Sequence, residues 1–214
     1  GNDVSLLLTV KNYRDVTAFN VEGVLSTDNP YVEILQGSSS FGDLAPGEVG
    51  ESIDQYSISI SQSAPDFMPV TFTLTKSESD NTWTSKFTER VNGSRLTQTA
   101  LLIGDSGNSY IEPGETGMMR VTIENSGQID LEEVYGALRV WNPLLDVSDS
   151  LAYFGDIDAG ESVTSSITDT FIITAMEDLI TGMSIDVELY LFNDNGFETT
   201  IETVIPIGLV TEDD

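Results

Sequence analysis

The chain has 214 residues, no cysteine and no histidine, and its 36 acidic side chains against 8 basic ones give a formal net charge of −28. The two absences remove disulfides, thiolate metal sites, the usual general base and the Ser-His and Cys-His nucleophile pairs. The charge repels phosphate backbones and anionic membrane surfaces, so no nucleic acid is expected as a partner. Apolar residues make up 39%, enough to build cores for one large domain or two ordinary ones. No apolar run approaches the ~20 residues of a membrane helix, so no membrane insertion is expected. There is no initiator methionine and no signal peptide, which reads as a processed segment.

In chain order, Leu6, Leu8 and Val10 alternate as in a half-buried strand, and so do Val70, Phe72 and Leu74 against Thr71 and Thr73. Ser79 to Thr82 reads as a hairpin turn, and Val91-Asn92-Gly93-Ser94 as a short link. Strands are then expected near 98–103, 116–124, 131–140, 145–148, 162–173, 182–192 and 197–206. Met119, Val121 and Ile123 alternate in the second of these; Met183, Ile185, Val187 and Leu189 share one face of the sixth. Asn193-Asp194-Asn195-Gly196 is a turn whose residues tolerate positive φ. No segment carries sustained helical periodicity.

The chain repeats itself. A shift of 113 places Thr9, Asn12, Val21, Gly23, Leu25, Asn29 and Pro30 on Thr122, Asn125, Val134, Gly136, Leu138, Asn142 and Pro143, and Phe41-Gly42-Asp43 on Phe154-Gly155-Asp156. With one inserted residue, a shift of 114 places Trp83, Phe87 and Val91 on Phe197, Ile201 and Ile205. Internal similarity of this length marks a duplicated module. The expected fold is all-β: two tandem immunoglobulin-like antiparallel β-sandwiches, one over 1–94 and one over 95–214 with an acidic tail. The second has an opening strand, Thr97 to Ile103, that nothing in this chain supplies to the first, so the first is expected to show an unpaired edge. Leu6, Leu8, Val10, Val70, Phe72, Met119, Val121, Ile123, Ile185, Val187 and Leu189 form the expected core.

Charge is unequal between the halves. Residues 1–96 hold 13 acidic and 6 basic side chains; residues 97–214 hold 23 acidic ones against Arg120 and Arg139, net −21. The ordinary account is a solvated acidic surface on an exported protein. The sharper one is calcium, a hard cation that wants several oxygen ligands. A calcium site, if the chain has one, falls on Asp105, Asn108, Glu112 and Glu115; the spacing is not that of an EF-hand loop. Asp156 and Asp158 make a second acidic loop, whose partner in the first half keeps only Asp43. A Gly-Glu turn recurs at Ala45-Pro46-Gly47-Glu48, Glu112-Pro113-Gly114-Glu115 and Asp158-Ala159-Gly160-Glu161, each before a strand.

The run Gly107-Asn108-Ser109-Tyr110-Ile111-Glu112-Pro113-Gly114-Glu115, then a hydrophobic strand and Glu124-Asn125-Ser126-Gly127, resembles bacterial Ig-like repeats of the CARDB (cell-adhesion-related) type. The first half departs from that pattern, with Asn12-Tyr13-Arg14 where the Asn-x-Gly would fall. The resemblance implies modules placed beside catalytic domains, such as gingipain-like peptidases, in large secreted or cell-surface proteins.

The sequence offers no Gly-x-Ser-x-Gly, P-loop or dinucleotide fingerprint. Among 36 acidic residues chance carboxylate pairs are inevitable. Of the two tryptophans, Trp83 reads as core through its match to Phe197, and Trp141, matching Asp28, as exposed. The expected function is therefore non-catalytic: a structural spacer or adhesion module with adjacent domains of a larger extracellular polypeptide as its partners. The alternative is a carbohydrate- or protein-binding accessory module of a secreted hydrolase. No cofactor is required by either; calcium is the one candidate.

Overall fold

In the computed structural model, which describes residues 2–104 and 109–209, the chain divides into two compact units, Gly1–Val91 and Asn92–Asp214. Each is an immunoglobulin-like antiparallel β-sandwich. The alternation seen in the sequence is the cause: each strand turns one row of side chains into a core and the other to water.

In unit 1, β3 (Ala18–Ser26), β5 (Ser38–Leu44), β8 (Met68–Glu78) and β9 (Asn81–Val91) form one sheet in the order β5-β3-β8-β9. The facing layer is β1 (Asn2–Leu6), β7 (Tyr56–Ile60) and β4 (Val32–Gln36) in the order β1-β7-β4, with β2 (Thr9–Lys11) paired to β6 (Val49–Glu51). Unit 2 repeats the plan. Its first sheet is β14-β12-β17-β18, from β12 (Leu131–Val140), β14 (Leu151–Ile157), β17 (Ser184–Phe192) and β18 (Glu198–Pro206). Its second is β10-β11-β16-β13, from β10 (Leu96–Ile103), β11 (Thr116–Asn125), β13 (Leu145–Asp149) and β16 (Phe171–Ala175), with β15 (Ser162–Thr164) also on β11.

The strand registers correct the alignment of the later strands. Glu22 faces Ser77 as Tyr135 faces Phe192, a shift of 115 on β8 and β17. Phe72 faces Phe87 as Val187 faces Thr203, a shift of 116 on β9 and β18. Trp83 therefore corresponds to Thr199, not Phe197. The extra residues lie in loops: 165–170 is two longer than 52–55, and the hairpin after β17 is longer than Ser79-Asp80. Shifts of 114 and 116 have the same parity, so apolar positions still fell on apolar ones.

Three other expectations change. The strand 162–173 is broken into β15 and β16 by Ser165 and Thr170, whose hydroxyls take over ladder bonds: Val121 N donates to Ser165 Oγ (3.2 Å) and Thr170 Oγ donates to Met119 O (2.6 Å). The repeated Phe41-Gly42-Asp43 and Phe154-Gly155-Asp156 runs, the second expected to lead into an acidic loop, lie inside strands β5 and β14, each with a positive-φ glycine, Gly42 or Gly155. Met183 precedes β17 and is exposed. Of the expected core, Val70, Phe72, Met119, Val121, Ile123, Ile185, Val187 and Leu189 are buried. Leu6, Leu8 and Val10 are only partly buried; among the described residues no strand lies beside them as β10 lies beside Met119, Val121 and Ile123.

The two cores differ at one instructive position. Tyr56 faces Leu6 as Phe171 faces Met119, and both rings are fully buried. The Tyr56 hydroxyl donates to Gly23 O at 3.1 Å. Burial first, and the charge of Glu22 second, raise this phenol above its ordinary value. A raised folded-state pKa contributes stability that is fully present below about pH 10 and lost as pH rises through the folded value. Unit 1 should therefore weaken above about pH 10, and Tyr56→Phe should flatten that loss while costing about 1 kcal/mol at neutral pH for the unpaired carbonyl. Denaturant midpoints at pH 7 and pH 11 for both proteins check this; an unchanged alkaline slope would contradict it.

Candidate functional site

Of the four expected calcium ligands, Asp105 and Asn108 lie outside the described residues. Glu112 and Glu115 are positioned by the Pro113-Gly114 corner, where Gly114 has φ +83°. Glu115 N donates to Glu112 O (3.0 Å), and Glu115 Oε2 accepts from Glu112 N (2.9 Å), so this carboxylate closes its own turn. The loop is tied down on both sides. Gly114 N donates to Ala175 O and Ala175 N to Glu115 O, each at 2.9 Å. Ile111, fully buried, bridges to Ile207.

The same turn recurs in unit 1, where Glu48 Oε2 accepts from Ala45 N at 2.7 Å and Glu48 N donates to Ala45 O at 3.0 Å. A second pair of carboxylates does similar work. Asp43 Oδ1 accepts from Asn20 N (2.8 Å) and Asp156 Oδ1 from Glu133 N (3.0 Å). Asn20 and Glu133 have φ of 50° and 51° and sit where the facing registers slip. Each Asp holds the bulged backbone that would otherwise leave an N–H without a protein acceptor. Asp156 thus lies within β14 as a strand tie, rather than in an acidic loop. Asp158 contributes its backbone carbonyl to Glu161 N, and Asp130 Oδ1 accepts from Ala159 N. Among the described residues, no group of three or more acidic side chains is placed to hold a metal ion.

Aromatic residues supply the other candidate surface. Trp141 is 67% exposed, at the end of β12. Asn142 fixes the turn after it by accepting from Leu144 N at 2.9 Å, as Asn29 does from Tyr31 N in unit 1. An open hollow of about 540 Å3 lies here, lined by Trp141, Arg139, Pro143 and Asp146 among others. On the outer face of the same sheet Tyr153, Tyr135, Phe192 and Tyr190 form a row with successive ring centroids 4.9, 6.0 and 5.4 Å apart. The Arg139 guanidinium lies 4.3 Å from the Tyr190 ring centre. The Tyr190 hydroxyl donates to Glu198 at 2.7 Å, the first cause of its raised pKa. The corresponding positions in unit 1 are Ser40, Glu22, Ser77 and Thr75, so the fold does not need this row.

No family model matches the chain, and no curated protein matches it. Among solved structures it resembles a chain named BspA_C_mut, at 10% identity over 96% of this chain and 92% of that one with a TM-score of 0.37. It also resembles one named BspA_C_WT, at 9% identity over 96% and 93% with a TM-score of 0.35. Similarity at that level says nothing about what this chain binds.

Unit 1 has a feature that the sequence reading missed. A cavity of about 230 Å3 is floored by Val10, Ala18, Val21 and Leu44 and rimmed by Lys11, Arg14, Lys76 and Trp83. Trp83 is 40% exposed rather than core. The Arg14 guanidinium lies 5.8 Å from its ring centre and pairs with Glu78 at 2.9 Å. Lys76 stands where unit 2 buries Leu191, and burial lowers its pKa. The signal in the sequence is the uneven charge: six of the eight basic residues fall in 1–96, and the fold brings three of them, Lys11, Arg14 and Lys76, to this cavity.

Proposed function

We propose that the chain is a non-catalytic pair of Ig-like modules from a larger exported polypeptide, acting as a structural spacer or adhesion module at the cell surface or outside the cell. The observation that carries this reading is the use of the carboxylates. Asp43 and Asp156 accept from backbone N–H groups of a neighbouring strand, Asn20 and Glu133, and Glu48 and Glu115 from those three residues earlier in their own turns, Ala45 and Glu112. These acidic groups hold strands and turns in shape. A position beside a catalytic domain, as the CARDB-type resemblance implies, belongs to the same reading; its partners are adjacent domains.

A second reading, a carbohydrate- or protein-binding accessory module, is favoured by the exposed Trp141 beside its hollow and by the tyrosine row. Glycan and peptide arrays probed with the chain and with Trp141→Ala and Tyr135→Ala separate the two. The spacer reading expects no saturable binding and no hydrolysis of peptides or glycosides. Saturable binding lost in either variant would replace it with the second reading, and turnover abolished by one carboxylate substitution would overturn both.

No cofactor is required in this proposal. Calcium and magnesium at equal ionic strength should raise the melting temperature of unit 2 equally, by screening its acidic surface. A calcium-specific rise that disappears in Asp105→Ala would instead establish a site on Asp105, Asn108, Glu112 and Glu115, through mass action on the folded state.

A further inference from the structure

The tyrosine row of unit 2 belongs to a wider face turned away from the core. Tyr135 pairs with Tyr153 on one side and Phe192 on the other, and Ala137 pairs with Leu151 and Tyr190. Aromatic cross-strand pairs can stabilise a sheet by themselves, yet unit 1 builds the same sheet without them. Its row positions are Ser40, Glu22, Ser77 and Thr75, and Ser26 and Thr73 stand where unit 2 pairs Arg139 with Glu188. Rings, arginine and carboxylate thus occur together in one copy and are all missing from the other. A contiguous apolar face of this kind on water marks an interaction surface more often than a scattered apolar residue does.

One end of the row already holds a cation. The Arg139 guanidinium lies 4.3 Å from the Tyr190 ring centre, and the Tyr190 hydroxyl donates to Glu198. The other end has rings and carboxylates too. Tyr135 and Tyr153 are tilted by 45°, so neither ring fully covers the other's face, whereas Tyr190 and Phe192 lie within 22° of parallel. Tyr135 is 37% and Leu151 51% exposed. Glu133 and Asp156 are exposed at this end. Desolvation first, then the charges of Tyr135, Asp156 and Glu133, raise the Tyr153 phenol, as a local excess of negative charge requires. Among the described residues no cation pairs with Glu133 or Asp156, and Arg139 is the one cation set over a ring in unit 2.

We propose that the Tyr135 and Tyr153 end of the row takes an arginine side chain from a basic segment of a partner protein, with its guanidinium against the open ring faces beside Glu133 and Asp156. An apolar neighbour of that arginine rests on Leu151 and Ala137. The contact repeats what Arg139 makes on Tyr190 within the chain. A guanidinium suits the place better than an ammonium, because it is planar, more weakly hydrated and stacks on aromatic faces. The net charge of −21 over 97–214 draws a basic segment toward this unit. This inference rests on the protein-binding form of the second reading above and adds the chemistry of the ligand.

The test uses the whole chain and three capped peptides in which leucines flank two arginines, two lysines or two citrullines; citrulline keeps the shape of arginine without its charge. The arginine peptide should saturably shift the amide resonances of Tyr135, Leu151 and Tyr153, and leave their counterparts Glu22, Ser38 and Ser40 in unit 1 unmoved. Arginine and lysine carry the same charge, so diffuse attraction to the acidic surface favours neither. The arginine peptide should bind roughly threefold tighter than the lysine peptide, and the citrulline peptide about tenfold weaker. Tyr153→Ser installs the residue type that unit 1 carries at Ser40, and should weaken arginine binding roughly fivefold. Glu133→Gln leaves every ring in place; it should weaken binding at low salt and flatten the salt dependence, and it serves if melting curves show that Tyr153→Ser does not fold. Equal binding of the arginine and lysine peptides, equal shifts on the unit 1 face, or an affinity that neither variant changes would overturn the inference. A neutral glycan that displaces the arginine peptide's shifts and binds without any charged group would overturn it while leaving the accessory-module reading. No saturable binding by any ligand would overturn both and leave the spacer.

Discussion

Replacing Asn125 with alanine should destabilise unit 2 by roughly 4 kcal/mol, since several buried backbone groups lose their partner at once and each costs about 1–3 kcal/mol when left unpaired. Asn125 is fully buried. Its Nδ2 donates to Ile129 O (2.8 Å) and Ile157 O (3.1 Å), and its Oδ1 accepts from Gly127 N (3.1 Å) and Arg95 N (3.2 Å). One side chain thus ties together β11, the turn before β12, the end of β14 and the segment leading into β10. Asn12 does the same in unit 1, donating to Val16 O and Leu44 O at 2.9 Å and accepting from Arg14 N at 3.0 Å. Its fourth contact, Nδ2 to Ala45 O, is long at 3.3 Å, and Asn12 is less deeply buried, at 6% exposed, so Asn12→Ala should cost less. Trp83 and Trp141 lie one in each unit, so denaturant titrations in Trp83→Phe and Trp141→Phe backgrounds read the two units separately. A loss below about 1 kcal/mol for Asn125→Ala would mean that water replaces these bonds and that the asparagine is not what fixes the corner.

Phe171→Ala should cost a similar amount, roughly 3–5 kcal/mol, the range for emptying a fully buried aromatic site. Phe171 is fully enclosed on β16, facing Met119 across the sheet. Phe171→Tyr should cost far less, under about 1.5 kcal/mol. Unit 1 already accommodates a tyrosine there, with its hydroxyl on Gly23 O, and Gly136 occupies the matching place in unit 2. The same titrations check both variants. If the alanine variant were no worse than the tyrosine variant, the site would be collapsing without a cavity, and the Phe171 ring would not be needed to fill this core.

These two positions show where the sequence was readable. Repetition of Asn12 as Asn125 and of Gly23 as Gly136 exposed the duplication, and alternation from Ile185 to Leu189 placed a strand and its buried face. What alternation cannot carry is the third dimension of a bulge. Gly42 and Asp43 look like a turn in sequence, and only pairing with β3 shows them inside a strand, with the Asp holding Asn20 at positive φ. Parity has a related limit. A register two residues out keeps every side chain on its proper face, so Trp83 was matched to Phe197 instead of Thr199. Burial in turn depends on what lies across the edge: Leu8 and Val121 occupy equivalent places, yet only Val121 is covered, by a strand that sequence alternation alone does not pair with it. The candidate calcium ligands were legible as oxygen donors. That Glu115 bonds back to Glu112 N was not: the Pro-Gly turn is legible from residue type, but the direction its Glu carboxylate takes is set by the side-chain rotamer.

In the proposed function the acidic side chains at the turns and bulges hold backbone N–H groups of their own module rather than a ligand. Residue-resolved amide exchange on the whole chain, with and without calcium at matched ionic strength, tests it most directly. The amides of Asn20, Ala45, Glu112 and Glu133, capped by Asp43, Glu48, Glu115 and Asp156, should be protected relative to neighbouring loop amides, with rates that calcium leaves unchanged. Exchange at unprotected loop rates, or a calcium-dependent change at Glu112 lost in Asp105→Ala, would contradict it.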